Sequence, residues 1–226
     1  MPMYFFGAYF TFHDDLCDFL SKFPKNQAVF YRFNGNPSIK DSIEAIGVPH
    51  TEVEYITANG ISVGFGYHLK NKDKINVYSL NSDIKCSNLV RLREKPRDIA
   101  FILDVHLGKL ARLLRMCGFD TIYSNSYNDH IIASLAADSC RIVLTRDRRL
   151  LRFKDIIYGY WLRSVDPHEQ LKEVLMRYEL YDSIYRFYRC IKCNGLIEQV
   201  EKNEVIDRLE PLTKKYYDEF YQCDSC

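Results

Sequence analysis

The chain has no apolar run close to the roughly 18 residues that a membrane-spanning helix needs, so we expect no span and no membrane association. Its first residues, Met-Pro-Met-Tyr-Phe-Phe, lack the charged start and small-residue cleavage site of a signal peptide. These two absences predict a soluble cytoplasmic protein.

The chain also lacks an excess of charge of either sign. It has 31 Lys and Arg residues and 30 Asp and Glu residues, which give a formal net charge of +1. Whole-chain charge therefore does not indicate nucleic-acid binding. Locally, segment 141–154 carries six basic residues and one acid. Such a segment can contact phosphates, although many charge runs are only solvated surface.

The first eighty residues predict a small α+β sheet wrapped on one helix, the β-grasp or ubiquitin-like pattern. Strands are expected at 4–12, 27–33 and 75–80, with a helix after Ser38 and a hairpin, 52–66, around Asn59-Gly60. Its histidines are scattered, so we expect a binding or scaffolding role with a possible protein partner. The predicted domain is 1–82, followed by a polar linker, 83–97.

Residues 98–184 predict an α/β domain with a parallel sheet. The apolar run Ile99 to Leu103 ends at Asp104, and Leu107, Leu110 and Leu114 then follow at helical spacing. Further strands are expected at 119–124, 141–145 and 156–162, with helices 130–139 and 167–180 between and after them. Alternating strands and helices of this kind usually form a sheet covered on both faces.

Three acids are expected near the carboxyl edge of that sheet. Asp104 and Asp147 follow two strands, and Asp129 starts the helix after another. Crowded carboxylates repel, and Mg²⁺ or Mn²⁺ would remove that conflict and assist phosphodiester hydrolysis. The alternative is that these acids are ordinary helix caps.

Basic side chains near these acids are candidates for RNA binding. They are Lys109, Arg112, Arg115, Arg146 and Arg148.

Two Cys-x-x-Cys pairs near the C-terminus predict a metal site. Cys190, Cys193, Cys223 and Cys226 supply four thiolates, which suit tetrahedral zinc, and a complete shell indicates a structural Zn²⁺. The alternative is free or disulfide-bonded cysteines. The predicted ribbon is 185–226, with a helix inserted at 211–222.

Aromatic residues interleaved with arginines lead into this ribbon. They are Tyr178, Tyr181, Tyr185, Phe187 and Tyr188. Such residues can stack unpaired RNA bases. Packing against the α/β domain is the alternative, and it is the one we favour.

The motifs from Asp104 to Thr121, at Asn128-Asp129 and from Leu144 to Arg148 resemble the Mut-seven C-terminal RNase family of PIN-like nucleases. Segment 35–78 resembles the ubiquitin-like domain that often precedes it. The resemblance implies a metal-dependent ribonuclease whose acidic positions are Asp104, Asp129 and Asp147. A fourth acid, if present, would be Asp120 or Asp166.

The chain is thus predicted to hydrolyse RNA, at single-stranded regions or ends of a structured RNA such as tRNA. Its predicted cofactors are structural Zn²⁺ and catalytic Mg²⁺ or Mn²⁺. An RNA-binding or adaptor protein without turnover is the alternative, and a toxin-like RNase held by an inhibitor is a third possibility.

Overall fold

The computed structural model describes residues 6–21, 23, 27–80, 82 and 88–226. The predicted strand residues 4 and 5 and positions 83–87 of the predicted linker lie outside these described residues. Within the described ranges no helix is long and apolar enough to cross a membrane.

The N-terminal domain is a five-stranded mixed sheet packed on one helix. Its elements are β1 (Phe6–Phe12), β2 (Val29–Phe33), α1 (Ile39–Ile46), β3 (Tyr55–Ala58), β4 (Ile61–Ser62) and β5 (Lys74–Tyr78). The strand order is β2-β1-β5-β3-β4; β1 and β5 are parallel and the other neighbours antiparallel. This arrangement confirms the predicted β-grasp class.

Local sequence signals account for these elements. The Ser38 side chain accepts a hydrogen bond from the N–H of Asp41, which caps the helix predicted after Ser38. Asn59 and Gly60 have φ angles of 52° and 85°, as a tight hairpin turn requires. The strand after this turn was predicted to reach residue 66, but only Ile61 and Ser62 pair with β3.

The C-terminal domain contains a four-stranded parallel sheet in the order β7-β6-β8-β9. Its elements are β6 (Ala100–Leu103), α2 (Gly108–Met116), β7 (Asp120–Ile122), α3 (Asp129–Ser139), β8 (Ile142–Thr145), β9 (Gly159–Trp161) and α4 (Pro167–Arg177). Phe101 and Leu103 of β6 face α2 and α4, whereas Ile102 faces α3. The predicted parallel α/β class is confirmed.

A two-stranded ribbon completes the fold. Its elements are β10 (Ile197–Val200), α5 (Lys202–Val205), α6 (Pro211–Tyr216) and β11 (Phe220–Cys223). The helix predicted for 211–222 is therefore wrong in its second half, because Phe220–Cys223 pairs in antiparallel register with β10. This pairing places Cys223 beside the first cysteine pair.

The expectation that the aromatic residues before the ribbon pack into the core is also wrong for most of them. Tyr178 packs against the core of the C-terminal domain. Tyr181, Tyr185, Phe187 and Tyr188 are 52%, 66%, 64% and 41% exposed, respectively.

The two domains contact each other through buried charged groups. Glu52 of the N-terminal domain is completely buried, and its Oε2 accepts from Nη2 of Arg177 at 3.0 Å. Nη1 of the same arginine lies 3.0 Å from Oδ2 of Asp15. Arg93, in the segment between the domains, donates to backbone carbonyls of Thr51 and Ile157. The described part of the predicted linker therefore lies against both domains.

Both edges of the parallel sheet are covered by neighbouring parts of the chain. At β9, the N–H of Trp161 donates to Oε1 of Glu52 at 2.6 Å. At β7, the N–H of Thr121 donates to Oδ1 of Asn194, between the cysteine pairs, at 2.9 Å. Unpaired edge groups promote aggregation, so these contacts protect the sheet.

Candidate functional site

Asp104 and Asp147 lie together at the carboxyl edge of the parallel sheet, joined by a threonine. Thr145, the last residue of β8, donates its hydroxyl to Oδ2 of Asp104 at 2.8 Å. The same hydroxyl oxygen accepts the N–H of Asp147 at 2.8 Å. Because β6 and β8 are neighbouring parallel strands, the residues that follow them meet here, as the sequence predicts.

Asp104 is almost buried, with 7% of its surface exposed. Its Oδ1 accepts from the N–H of Val105 at 2.6 Å, at the start of a single 3₁₀ turn. In the described part of the chain, no lysine or arginine nitrogen lies within 4.0 Å of its carboxylate. A buried carboxylate without a cationic partner is costly, and a bound cation would offset that cost.

Asp147 keeps its negative charge through contacts with Arg149. Partial burial raises the pKa of the Asp147 carboxyl, but the Arg149 backbone N–H and guanidinium outweigh that effect and hold it below its ordinary value. The N–H of Arg149 donates to Oδ1 at 2.8 Å, and its Nη2 donates to Oδ2 at 3.2 Å. The Arg149 side chain is 87% exposed, so its guanidinium is free to change partner.

Asp129 lies at the first position of α3 and is exposed. The sequence allows it to cap this helix, but the cap is Asn128, whose Oδ1 accepts from the N–H of Ile131 at 3.0 Å. The Asp147 carboxylate and, more weakly, that of Asp129 raise the pKa of Arg149. Asp129 is therefore within electrostatic reach of the same edge, with its carboxylate not used in capping.

The two candidates for a fourth acid both have other partners. Asp120 lies at the start of β7, on the opposite edge, and both its oxygens accept from Arg141 at 2.9 Å. Asp166 caps α4 by accepting from the N–H groups of His168 and Glu169. Asp166 follows β9 and so shares the carboxyl edge with Asp104.

The donor set at this edge fits a divalent cation. Mg²⁺ and Mn²⁺ prefer carboxylate oxygens and often use only one or two of them with water. Among the described residues, the oxygen atoms of Asp104, Asp129 and Asp147 do not all lie within 4.8 Å of one another. A cation at this edge would therefore be held directly by fewer than three of these acids, with water completing its coordination.

A groove of about 960 Å³ lies beside this edge, between α2 and the first cysteine pair. Among the residues that the structure describes, five basic side chains line it and no acidic one does. They are Lys109, Arg112, Arg115, Arg146 and Lys192. Val105, next to Asp104, also lines the groove, so the basic surface and the acidic edge adjoin.

Two of the arginines predicted to bind RNA mainly contact other parts of the protein. Arg115 is 6% exposed, and its guanidinium donates to the backbone oxygens of Thr121, Ile191 and Lys192. Arg148 lies at the domain interface, where its Nη2 donates to the backbone oxygen of Asp18 at 3.3 Å and its guanidinium carbon lies 3.9 Å from the ring centroid of Trp161. Their contacts are those of structural residues.

The four predicted cysteine ligands form one compact cluster, with all Sγ atoms within 4.8 Å of one another. The Sγ atoms of Cys190 and Cys226 are 3.7 Å apart, and those of Cys193 and Cys223 are 3.3 Å apart. A disulfide would bring sulfurs to about 2.0 Å, whereas tetrahedral zinc–thiolate geometry separates them by about 3.8 Å. The cluster therefore fits a closed structural Zn²⁺ site.

Sequence reasoning missed three residues of this region. Thr145 links the two acids, Arg149 pairs with Asp147, and Lys192 extends the groove onto the cysteine loop. Lys192 could have been predicted from the sequence, because a lysine inside a Cys-x-x-Cys loop is held at a fixed position. Thr145 had no such signal beyond its place at the end of a strand.

Fold and site together define a two-domain protein in which a β-grasp domain precedes an α/β domain that carries a four-cysteine metal site. The chain belongs to the Mut7-C family, as predicted: the Mut7-C RNAse domain model matches residues 99–226, and the Mut7-C ubiquitin model matches residues 6–85. Neither a curated protein nor a solved structure gives a significant match.

Proposed function

We propose that the chain is a metal-dependent ribonuclease of the PIN-like type, which hydrolyses phosphodiester bonds of RNA. The observation that carries this proposal is the buried Asp104 carboxylate, linked through Thr145 to Asp147 and without a cationic partner among the described residues. Membership in a family described as an RNase domain supports the substrate class.

In this proposal Asp104 and Asp147 bind Mg²⁺ or Mn²⁺, and Asp129 holds a water in the same site. When bound, the cation supplies Lewis-acid stabilisation of phosphoryl charge and lowers the pKa of water. Thr145 fixes the orientation of Asp104 by its hydrogen bond. Arg149 can leave Asp147 for the substrate phosphate because its guanidinium is exposed.

The basic groove would bind the RNA backbone, with Lys109, Arg112 and Arg146 as phosphate contacts and Lys192 extending the path. An unpaired strand, such as a tRNA end, can follow a groove of this kind. We also propose a cytoplasmic location. The proposed division of the chain is a β-grasp domain at 1–82, a linker at 83–97, an α/β domain at 98–184 and a zinc ribbon at 185–226.

Cleavage of end-labelled RNA by purified protein tests the reaction. Asp104→Asn and Asp147→Asn should each lower Mg²⁺- or Mn²⁺-dependent cleavage by about 1,000-fold, because metal charge stabilisation is worth several kcal/mol. Asp138→Asn is the matched control, since Asp138 is an exposed aspartate on α3. Equal cleavage by all variants would refute the assignment of the acids.

Removing a groove cation should weaken RNA binding without changing the chemistry. We expect Arg112→Ala, in an Asp147→Asn background that leaves RNA intact, to lower affinity several-fold and to reduce the salt dependence by about one counterion. Fluorescence anisotropy over a range of salt concentrations measures both quantities. An unchanged salt slope would place the RNA outside the groove.

An RNA-binding adaptor without turnover is the second candidate. The exposed aromatic residues before the ribbon favour this candidate, because they could bind RNA by stacking on its bases without cleaving it. Binding of RNA with no cleavage by folded, zinc-loaded protein in either metal would support this alternative.

A further inference from the structure

An aromatic and basic patch lies on the outer face of the β-grasp sheet, away from α1. Tyr9 of β1 and Phe30 of β2 are direct cross-strand partners. They are 46% and 48% exposed, and their ring centroids are 5.0 Å apart. On the other side of Tyr9, Lys74 of β5 occupies the same register position. Since side chains alternate between the faces of a sheet, these three project from one face.

The patch carries the positive charges of Arg32, Lys72 and Lys74, and the one acid between the two lysines is buried. Arg32 lies over the Phe30 ring, with its guanidinium carbon 6.0 Å from the ring centroid. Lys72 and Lys74 are exposed in the turn and strand beside β1. The acid between them, Asp73, is 3% exposed and accepts hydrogen bonds from Asn59, Tyr67 and the Lys70 N–H.

The segment between the domains contacts another part of this outer face, on β3 and β4. The N–H of Val90, in the segment between the domains, donates to Oγ of Ser62 on β4 at 3.0 Å. Arg91 lies over the ring of Tyr55 on β3. The domain contacts described above involve Asp15, Glu52 and Arg93 instead. Within the residues that the structure describes, the patch on β1 and β2 therefore remains open to a partner.

We propose that this patch, formed by Tyr9, Phe30, Arg32, Lys72 and Lys74, binds unpaired bases and phosphates of single-stranded RNA as a second contact site. Neighbouring aromatic rings on adjacent strands offer flat surfaces for base stacking, and flanking cations attract phosphates. The identity of the ligand rests on the proposed ribonuclease function. A second contact on the same chain raises the effective RNA concentration at the cleavage edge.

Phe30 also has a structural role, which determines the choice of variants. The Phe30 ring lies directly over Gly7, where an added Cβ would approach the ring to 2.3 Å. Alanine at position 30 would expose this glycine. Leucine keeps apolar cover over the strand but has no flat ring for stacking.

The test measures anisotropy of a labelled single-stranded 12-nucleotide RNA with full-length protein carrying Asp147→Asn. Adding Tyr9→Leu and Phe30→Leu together should weaken binding about 10-fold or more, because base stacking is lost. Tyr9→Phe should retain tight binding. Ile61→Ala, at a 71% exposed apolar residue on the opposite edge strand, is the control.

Circular dichroism would confirm that the leucine variant is folded, and 4-thiouridine crosslinking locates contacts on the folded parent independently. Crosslinks at Tyr9 or Phe30 with weakened leucine-variant binding support the proposal. Unchanged binding of the leucine variant, or crosslinks confined to the groove, overturns it and leaves the patch to a protein partner. Cleavage by protein with Asp147 intact is scored separately, so failure of the ribonuclease function is distinguishable from failure of this site.

Discussion

Removing zinc is expected to unfold residues 185–226 while the rest of the chain remains folded. The ribbon has almost no core of its own: Cys190 and Val205 are the hydrophobic side chains that are buried in the described 185–226 segment. Two strands such as β10 and β11 are marginal alone. Structural zinc binding contributes roughly 10–16 kcal/mol in small domains, so a Zn²⁺ held by the four cysteines would be the dominant stabilising contribution to this segment.

Limited proteolysis with mass spectrometry measures this loss. Chelation, or Cys193→Ser with Cys223→Ser, should make sites in 185–226 cleavable at least 100-fold faster. Cys140→Ser is the control, because Cys140 is an exposed, isolated cysteine. A ribbon that stays protected after verified zinc release would contradict this account.

Zinc loss should also expose the β7 edge. Asn194, which lies between the cysteine pairs, accepts from Thr121 on β7 and donates to Asp120 at 2.8 Å. Arg115 binds the first cysteine loop through the carbonyls of Ile191 and Lys192. We therefore expect faster amide exchange at Thr121 in zinc-free protein than in zinc-loaded protein.

The second large effect is expected at the domain interface. Arg177→Met should lower the free energy of unfolding by about 3–5 kcal/mol, because it leaves the completely buried Glu52 carboxylate without its ion-pair partner. Adding Glu52→Gln should restore much of this loss, since a neutral amide needs no cation and still accepts from the Trp161 N–H. Urea unfolding of both variants measures the difference.

Acidification should distinguish this mechanism from a simple loss of packing. Burial raises the pKa of Glu52, although Arg177 and Arg163 oppose the effect. When a carboxyl has a higher pKa in the folded state than in the unfolded state, the protein loses stability as the pH rises above the unfolded pKa of about 4.3. In Arg177→Met the deficit should therefore shrink as pH falls from 7 towards 4.5. Lys172→Met, at an exposed pair, should leave stability unchanged at either pH.

The periodicity of apolar residues was sufficient to predict both domains. The alternating strand pattern, the Ser38 cap and Asn59-Gly60 indicated the β-grasp domain, and buried runs that end at Asp104 and near Asp147 indicated the parallel sheet. The cysteine spacing predicted the metal cluster, because four thiolates at two short spacings have few other uses.

Contacts between distant segments could not be predicted in the same way. Arg115 has the spacing of an exposed helical arginine, yet it lies under the cysteine loop because that loop folds back onto β7. Arg148 sits in a basic run but stacks on Trp161, since the N-terminal domain packs there. Both outcomes depend on packing between distant parts of the chain, which leaves no periodic signal in the sequence.

The most direct test of the central claim measures Mn²⁺ binding and RNA cleavage on one zinc-loaded preparation. Electron paramagnetic resonance counts bound Mn²⁺, and end-labelled RNA reports cleavage. We predict tight Mn²⁺ binding with discrete RNA products, both lost in Asp104→Asn but kept in Asp138→Asn. Equal Mn²⁺ binding by all three proteins, or cleavage that persists in Asp104→Asn, would contradict the assignment of this sheet edge as the active site.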